Sequence, residues 1–293
     1  MSATTRAGGE TRIGTRTFRW GERTYVMGIL NVTPDSFSGD GLLPGPAGGA
    51  APAAGSPVAA AVERALRMVE EGADLLDVGG ESTRPGHAPV DEAEELGRVV
   101  PVIAALRERL PDVPISIDTT KPAVAEAALD AGAALVNDVW GVGTGSLAPL
   151  AARRGVPIVL MHNRAEPVYR DLVAEVVADL AAAIERALAA GAREGDLLVD
   201  PGIGFGKTAE QNVALLRDLG ALTALGRPVL LGTSRKSTIG RILDLPPGER
   251  LEGTLATTAL GIAAGADIVR VHDVRANARA ARVADAIVRG WAG

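Results

Sequence analysis

The chain has 293 residues, of which 47% are hydrophobic, 23% charged and only 3% aromatic. This length is typical of one large α/β barrel, and the scarcity of aromatic residues leaves a core of Ala, Val, Leu and Ile, which favours parallel strands buried on both faces. The formal net charge of −6 argues against a general nucleic-acid binder, and the lack of cysteine excludes a disulfide framework, Cys-ligated zinc and a thiol nucleophile.

The N-terminal segment predicts a tail followed by a hairpin. Residues 1–12 have no apolar signal core, and we expect them to form a disordered tail before a single domain over residues 13–293. No apolar run is long enough to span a bilayer, so we expect a cytoplasmic protein without membrane partners. The strings TRTFRW and RTYVMGI alternate around Gly21-Glu22, which predicts a β-hairpin with its turn at that pair, leading into a strand.

Beyond the hairpin, short apolar runs alternate with amphipathic stretches. The predicted strands are residues 26–32, 75–79, 115–118, 134–139, 158–161, 197–200, 229–232 and 268–271. The predicted helices are residues 58–70, 92–109, 123–129, 147–153, 171–188, 211–219, 251–263 and 276–289. Eight strand–helix units imply right-handed crossovers and a parallel sheet. We therefore predict an α/β fold, a single (β/α)8 TIM barrel with an N-terminal β-hairpin.

One segment departs from this pattern directly after the first barrel strand. Residues 39–57, GDGLLPGPAGGAAPAAGSP, are of low complexity and cannot form a core, so we expect a flexible loop. Its position at the catalytic end of the barrel is compatible with a lid, and equally with a tolerated, linker-like insertion.

The rare basic residues mark the ends of the predicted strands. The chain contains only three lysines and three histidines, and all six follow or end a strand-like run; they are Lys121, Lys207, Lys236, His87, His162 and His272. Active sites of α/β barrels lie at the carboxyl ends of the strands. These residue types are therefore candidates for a site.

The strand ends combine two chemical characters. Acceptor and amide groups suited to a flat nitrogen heterocycle are Asp77, Asp118, Asn137 and Asp200. Cations suited to a phosphate or diphosphate are Arg84, Lys236, Arg270 and His272. Together they predict a ligand with two parts, a nitrogen heterocycle joined to an anion.

Other polar residues at strand ends favour structural roles. We expect Thr119 and Thr120 to cap the helix that opens with Pro122 at its first position, and Lys121 to be structural. The GxGxGK string at residues 202–207 lacks the spacing of a phosphate-binding loop.

Three further residues at strand ends, His162, Asp138 and Asp273, also allow a structural role. A histidine on an apolar strand, as His162 is, favours a buried and satisfied side chain. Asp138 and Asp273 are balanced between capping and the site. No pair of histidines or carboxylates has the spacing of a metal site on a helix, although Mg2+ carried on a diphosphate needs few protein ligands.

The strings themselves resemble a known family. MGILNVTPDSFS, DVGGESTRPG, ISIDTTKP, NDV, LMH, DPGIGFGK, SRKS and RVHDV occur in this order, one per predicted strand. Together they closely resemble the dihydropteroate synthases, folate-biosynthesis transferases that sulfonamides target, from about residue 25 to the C-terminus. The resemblance implies condensation of 6-hydroxymethyl-7,8-dihydropterin diphosphate with 4-aminobenzoate, giving 7,8-dihydropteroate and diphosphate. It also implies Mg2+ and a homodimer.

The resemblance further implies a role for each matching residue. The implied pterin ligands are Asp77, Asp118, Asn137, Met161, Asp200, Phe205, Lys236 and Arg270. The implied diphosphate ligands are Asn31, Thr83, Arg84, Arg270 and His272, with Mg2+ near Asn31. The implied 4-aminobenzoate contacts are Asp35, Phe37, Thr83, Arg84, Pro85, Lys236 and Ser237. The residues expected to act in catalysis are Asp118, Lys236, Arg270, His272, Asp35 and Arg84.

Two segments depart from the family pattern, and three other functions compete. The loop after the fifth strand, residues 163–167, is short, and the loop after the first strand carries extra Gly, Ala and Pro. A pterin-binding methyltransferase barrel would share the heterocycle ligands but has no use for a diphosphate clamp. A Schiff-base aldolase would need Lys236 desolvated with a lowered pKa, whereas we expect Arg235 and the acidic residues to keep it charged. An inactive paralogue would keep the fold alone.

Overall fold

The computed structural model describes residues 9–33, 56–81, 90–143 and 146–291. The ten strands are β1 (Glu10–Ile13), β2 (Arg16–Arg19), β3 (Tyr25–Asn31), β4 (Leu75–Gly79), β5 (Ile115–Asp118), β6 (Leu135–Asp138), β7 (Ile158–Met161), β8 (Leu197–Asp200), β9 (Leu230–Leu231) and β10 (Ile268–Val271). The α-helices are α1 (Pro57–Glu70), α2 (Glu92–Arg109), α3 (Pro122–Ala131), α4 (Ala148–Arg154), α5 (Leu172–Ala189), α6 (Ala209–Arg217), α7 (Ser237–Leu243), α8 (Leu251–Ala263) and α9 (Val274–Arg289).

Strands β3 to β10 form one parallel sheet in the order β8-β7-β6-β5-β4-β3-β10-β9. A parallel bridge between Val199 and Val229 joins the two edge strands, with Val199 N donating to Pro228 O at 2.9 Å. The sheet is therefore a closed eight-stranded barrel. Its strands are buried on both faces, because one face meets the surrounding helices and the other the barrel interior. The predicted fold class is confirmed.

The strand register brings several predicted site residues to one level. Asn31 pairs with Gly79, Gly79 with Asp118, and Asp118 with Asn137. Since all barrel strands are parallel, these residues lie at the same, carboxyl-terminal end of the barrel. The topology thus builds a polar rim from positions far apart in the chain.

Local capping explains where several helices begin and end. Ser56, Asp91 and Asp171 accept hydrogen bonds from backbone N–H groups in the first turns of α1, α2 and α5. Gly132 and Gly155 end α3 and α4 in the left-handed conformation, which a glycine adopts without steric cost.

Some predicted boundaries were wrong. Pro57, assigned to the flexible loop, is the first helical residue of α1, where a proline fits because its missing N–H is not needed. The short helix α7 was not predicted, and the last helix begins at Val274 rather than residue 276. The remainder of the predicted loop, residues 39–55, lies outside the described residues.

The N-terminal hairpin closes the barrel at the end opposite the polar rim. Ile13, Phe18 and Trp20 are buried against Tyr25 and the first residues of barrel strands, among them Leu75. The rings of Phe18 and Tyr25 lie 4.7 Å apart between centroids. Three of the eight aromatic residues of the chain, Phe18, Trp20 and Tyr25, thus seal the bottom of the barrel.

The hairpin itself differs from the prediction. It pairs β1 with β2 around Gly14-Thr15, not around Gly21-Glu22. Tyr25 instead pairs in parallel with Ile268 of β10, because it begins the first barrel strand. Residues 10–12, assigned to the disordered tail, belong to β1, since Ile13 and Thr11 are buried and Thr11 Oγ1 donates to Gly195 O at 2.5 Å. Among the helices of the described ranges, none has both the length and the apolar character of a bilayer-spanning segment.

Candidate active site at the carboxyl end of the barrel

Arg270 joins the carboxylates at the barrel mouth. From the penultimate position of β10, its Nε donates to Asp77 Oδ2 and its Nη2 to Asp118 Oδ2, both at 2.6 Å. Asn137 Nδ2 donates to the same Asp77 oxygen at 3.0 Å. Burial by itself lowers the pKa of Arg270, but the charges of Asp77 and Asp118 outweigh it and raise that pKa overall. The guanidinium is therefore a permanent cation at the centre of the site.

Asp77 and Asp118 each have one carboxylate oxygen that can accept a further hydrogen bond. Asp77 Oδ1 and Asp118 Oδ1 are buried without a hydrogen-bond partner in the described part of the chain. Burial raises the pKa of Asp118 to about 7, against the opposing charge of Arg270. A buried acceptor without a donor is costly, so these atoms suit the N–H groups of a bound heterocycle.

Asp200 and Lys236 form the second half of the polar group. Asp200 Oδ1 accepts a hydrogen bond from Gly202 N at 2.7 Å, and burial raises its pKa in spite of the nearby Lys236 charge. Lys236 Nζ donates to Ile203 O and lies 4.6 Å from the centroid of the Phe205 ring. This ammonium–ring contact is a cation–π interaction.

The environment of Lys236 differs from the expectation. Burial, opposed by the charge of Asp200, lowers the pKa of Lys236 to about 8. Arg235 does not share its surroundings, since Arg235 Nε donates to Asp273 Oδ2 at 2.9 Å. Arg235 therefore has no part in setting the charge of Lys236, and the lowering of its pKa by desolvation was not expected. With a pKa near 8 the side chain is still mostly an ammonium at pH 7.

His272 is positioned by a residue that we did not assign to the site. Ser234 Oγ accepts from His272 N at 3.1 Å and lies 3.0 Å from Nδ1 of the same histidine. Ser234 follows β9 and His272 follows β10, so adjacent strand ends share this contact. Its only signal in the sequence is its place in the SRKS string after a strand.

A cavity of about 380 Å³ opens beside these groups. Asp118 and Phe205 line it together with Trp140, Asn163 and Glu95, which were not predicted as site residues. Its size suits a small heterocyclic ligand. Met161, on β7, is buried and pairs in register with Asp200. Trp140 is 43% exposed, and its signal in the sequence is a tryptophan directly after the predicted strand 134–139 in a chain with only three tryptophans.

Asp138 and Asp273, which the sequence left balanced between capping and the site, make structural contacts. Asp138 accepts from Trp140 N, Ser146 Oγ and Leu147 N, so its carboxylate organises its own loop. Asp273 is ion-paired with Arg235. His162 is fully buried, as expected, with hydrogen bonds to Asp179 and Lys207.

Lys121 makes ion pairs beside the site. Its Nζ contacts Glu81 and also Glu95 Oε2 at 2.6 Å, which agrees with the expected structural role. The predicted caps at Thr119 and Thr120 were wrong, because the N-cap of α3 is Lys121 itself. Thr119 Oγ1 instead accepts from Lys121 N at 3.2 Å, while Pro122 opens the helix as predicted.

The remaining predicted residues are placed as follows. Asn31 ends β3 and is half-buried, and Ser237 is the exposed first residue of α7. The residues Asp35, Phe37, Thr83, Arg84, Pro85 and His87 lie outside the described residues.

No cluster of three or more His, Asp or Glu side chains suited to a metal occurs within the described ranges. A resident metal held by protein ligands alone does not fit that set. A single amide oxygen at Asn31 does fit a Mg2+ ion that is carried mainly by substrate phosphates.

Comparisons with known proteins agree with this geometry. Residues 27–272 match the family model of pterin binding enzymes. The chain is 50% identical over 280 residues to the dihydropteroate synthase of Clostridium beijerinckii, covering 95% of this chain and 99% of that protein. It is 49% identical to the dihydropteroate synthase of Bacillus subtilis, covering 91% and 90% of the two chains.

Solved structures give the same result. The dihydropteroate synthase of Xanthomonas albilineans with 4-aminobenzoic acid superposes with a TM-score of 0.87 at 43% identity, over 96% of this chain and 98% of that one. The enzyme of Clostridium difficile in the presence of pteroic acid gives 0.84 at 49% identity, over 92% and 98%.

Proposed function

The chain belongs to the pterin-binding enzyme family, in the group of the dihydropteroate synthases, and we propose that it condenses 6-hydroxymethyl-7,8-dihydropterin diphosphate with 4-aminobenzoate. The products are 7,8-dihydropteroate and diphosphate, so the enzyme is a transferase of folate biosynthesis. The observation that carries the proposal is the group of buried acceptors at the barrel mouth beside Arg270 and Lys236. This group matches a pterin joined to an anion.

Pterin recognition uses the buried acceptors. The unpartnered oxygens of Asp77 and Asp118 accept N–H groups of the heterocycle, and Asn137 and Asp200 extend the set. Lys236 donates to an acceptor atom of the ring, and Phe205 and Met161 contact its faces. A site that requires these hydrogen bonds discriminates strongly against ligands that lack them.

The reaction needs no strong base. The aryl amine of 4-aminobenzoate is neutral and nucleophilic at pH 7, so the difficult step is the departure of diphosphate. The bond from the pterin CH2 to the bridging oxygen breaks, and diphosphate leaves with the electron pair. The amine nitrogen then bonds to that carbon and loses one proton.

Charge stabilisation on both sides of the broken bond supplies the catalysis. Arg270, His272, Arg84 and Thr83 bind the departing diphosphate, and Asn31 contributes its amide. The carboxylates that hold the pterin stabilise the positive charge that remains on it. We infer a dissociative displacement, in which cleavage runs ahead of attack.

We propose Mg2+ as the partner of the diphosphate, with Asn31 as its protein ligand. The ion, when bound, neutralises charge on the phosphate oxygens and makes diphosphate a better leaving group. Asn31 fits because such ions take one or two protein ligands together with phosphate oxygens and water.

The 4-aminobenzoate site adjoins the pterin site in this proposal. Lys236 and Ser237 form its described side. Asp35, Phe37, Arg84 and Pro85 complete it from residues outside the described ranges, and Thr83 contributes there too. Because Lys236 borders both substrates, its ammonium would orient the amine beside the pterin CH2.

We also propose that the enzyme is a cytoplasmic homodimer. Support for the dimer comes from the outer helices α8 and α9, which expose large apolar side chains at Leu260, Val283 and Ile287. Exposed apolar clusters of this kind mark protein–protein contact surfaces. A membrane partner is not needed, since both substrates are small and polar.

Diphosphate release tests the proposed function. The protein is incubated with pterin diphosphate and Mg2+, with and without 4-aminobenzoate, and dihydropteroate is detected by mass. Release coupled to that product is expected. Pterin binding without product would favour a methyltransferase-type barrel or an inactive paralogue.

Positional isotope exchange in the recovered substrate tests the dissociative step. That step is abandoned if the label in the diphosphate never scrambles without 4-aminobenzoate. A reducible adduct on Lys236 after borohydride treatment would favour a Schiff-base aldolase.

A further inference from the structure

A second polar group, with a buried histidine at its centre, lies next to the site, and the proposed chemistry does not use it. It is formed by Lys207 after β8, His162 after β7 and Asp179 on α5. His162 is fully buried, whereas the Asp179 side chain is 36% exposed. A buried polar side chain is costly unless it is hydrogen-bonded, and His162 contacts both of the other residues.

Lys207 is surrounded by acceptors. Its Nζ lies 2.9 Å from His162 Nδ1, 3.1 Å from Gly202 O and 3.0 Å from Phe205 O. An ammonium carries three N–H donors, and four acceptors surround it here, the fourth being His162 O at 3.5 Å. Two of those acceptors are backbone carbonyls of the turn at residues 201–206, so the side chain of Lys207 closes this turn on itself.

The turn also fits tightly against the end of β7. At Gly202, whose φ is +68°, an added Cβ would lie 1.8 Å from His162 O, and at Gly206 it would lie 2.3 Å from Arg164 O. No other residue fits at these two positions without displacing the backbone. Tyr169 adds a further anchor, since its hydroxyl donates to Gly206 O at 2.8 Å.

Two backbone atoms and one aromatic ring of this turn contact Lys236 or Asp200 of the proposed pterin site. Ile203 O accepts from Lys236 Nζ, the Phe205 ring lies under the same ammonium at 4.6 Å, and Gly202 N donates to Asp200 Oδ1. A displacement of the turn therefore moves the partners of both Lys236 and Asp200.

The charge state of His162 follows from its contacts. Burial and the neighbouring Lys207 charge lower its pKa to about 4, so the ring is neutral near pH 7. Nδ1 then accepts from Lys207, and Nε2–H donates to Asp179 Oδ2 at 3.1 Å. Asp179 is held in turn by Arg164 at 2.8 Å. The chain of contacts runs unbroken from the surface of α5 to the turn.

We propose that Lys207 is a positioning residue, which with His162 and Asp179 fixes the turn at residues 201–206 so that Ile203 O and Phe205 hold Lys236 for the pterin. Lys207 contacts neither substrate in this assignment and acts only through the turn. The link to pterin binding rests on the proposed function, whereas the link from Lys207 to Lys236 does not.

Lys207→Met tests the proposal because it keeps the length of the side chain and removes its donors. We expect 6-hydroxymethylpterin to bind roughly 10- to 100-fold more weakly by calorimetry, which is the loss expected when a hydrogen bond to a charged group is broken. In ligand-free protein labelled with 13C at lysine Cε, we expect the pKa of Lys236 to rise from about 8 toward its ordinary value of 10.5 as the turn admits water.

Tyr169→Phe separates position from charge, since it removes one anchor of the same turn and no charge. We expect weaker pterin binding and a higher pKa of Lys236 in this variant too, but both changes should be smaller than in Lys207→Met. If Lys207→Met fails to fold, Tyr169→Phe decides alone. Arg154→Met is the matched control, because it removes a cation that pairs with Asp130 on another part of the barrel, and it should change neither readout.

Unchanged pterin affinity and unchanged Lys236 titration in folded Lys207→Met and Tyr169→Phe would overturn the proposal. Failure of the unmodified protein to bind pterin would instead contradict the proposed function. The Lys236 titration in ligand-free protein would then still test the role of Lys207.

Discussion

Arg270 Nη2 lies 2.6 Å from Asp118 Oδ2, so the cation proposed to hold the diphosphate is ion-paired with a carboxylate proposed to hold the pterin. Both groups are largely buried, with 17% and 7% of their side chains exposed. A pterin N–H that binds Asp118 therefore meets a carboxylate already neutralised by Arg270. We infer that substrate binding exchanges part of this ion pair for hydrogen bonds to the ligand.

Replacing Arg270 by Met should destabilise the ligand-free protein. The change leaves Asp77 and Asp118 as unpaired buried charges, which costs about 3–5 kcal/mol when one partner of such a pair is removed. The pKa of Asp118 is already raised from 3.8 to about 7, so the folded protein binds a proton more tightly than the unfolded chain and loses stability as the pH rises between these values. The loss in Arg270→Met should thus be larger at pH 8 than at pH 5.

Urea denaturation at both pH values measures this difference in the free energy of unfolding. Arg154→Met serves as the control, because Arg154 also pairs with an aspartate, Asp130, but 30% and 66% of these two side chains are exposed. It should cost about 1 kcal/mol or less, as exposed ion pairs do. Equal costs for Arg270→Met at the two pH values would contradict a buried, unpaired Asp118.

The affinity for 6-hydroxymethylpterin should have a bell-shaped dependence on pH, with one acid limb and one alkaline limb. Affinity should rise through about pH 7 as Asp118 ionises and becomes an acceptor, and fall through about pH 8 as Lys236 loses its proton. This ligand carries no phosphate, so phosphate ionisation does not contribute. Calorimetry between pH 5.5 and pH 9.5, a range chosen to bracket both limbs at roughly 1.5 units beyond each, checks the profile.

Two variants identify the residue that titrates in each limb of the pH profile. Asp118→Asn should remove the acid limb and Lys236→Met the alkaline limb, each with weaker binding throughout. If either variant retained both limbs, the titrating group would have to be another residue.

Only three lysines are present, which makes each of them observable. Desolvation by itself lowers the pKa of Lys121, but contacts with Glu81 and Glu95 together outweigh it and raise that pKa, whereas burial lowers the pKa of Lys207 to about 7 and that of Lys236 to about 8. Protein labelled with 13C at lysine Cε should therefore give three separate titrations, assigned by single Lys→Arg variants. Three coincident curves near 10.5 would show that Lys207 and Lys236 are both solvated.

The sequence predicted the barrel and its rim for a simple physical reason. A strand buried on both faces appears in the sequence as a continuous apolar run. A polar residue at the end of such a run therefore lies at the carboxyl end of the sheet. Asp118, Asn137 and Asp200 were found in this way, and the register places Asp118 beside Asn137. The family resemblance added the expected roles of these residues.

Features that depend on tertiary contacts were not predictable in this way. The alternation of residues 16–20 is real, but it reflects burial of Phe18 under the barrel, so it gave the wrong turn. Local sequence suggested that Arg235 would influence Lys236, yet Arg235 turns to Asp273, 38 residues away. The contact between His162 and Lys207 likewise joins residues 45 positions apart, and no spacing rule connects them.

Removal of Mg2+ should separate binding from chemistry. With excess EDTA we expect no diphosphate release, while 6-hydroxymethylpterin should bind with unchanged affinity because it has no phosphate to carry the ion. Asn31→Ala should raise the Mg2+ concentration needed for half-maximal turnover. Full turnover in metal-free buffer would exclude the proposed role of Mg2+.

The apolar side chains on α8 and α9 should mediate self-association. Leu260 is 70% exposed and Ile287 79%, and solvated positions of this size are costly unless a partner covers them. We expect the unmodified protein to sediment as a dimer and Leu260→Glu or Ile287→Glu to sediment as a monomer, because each variant buries a charge without a partner. Val168 is 69% exposed elsewhere, so Val168→Glu should leave the dimer intact. A monomeric unmodified protein at micromolar concentration would contradict the dimer, and a dimer that tolerates both α8 and α9 substitutions would place the interface on other elements.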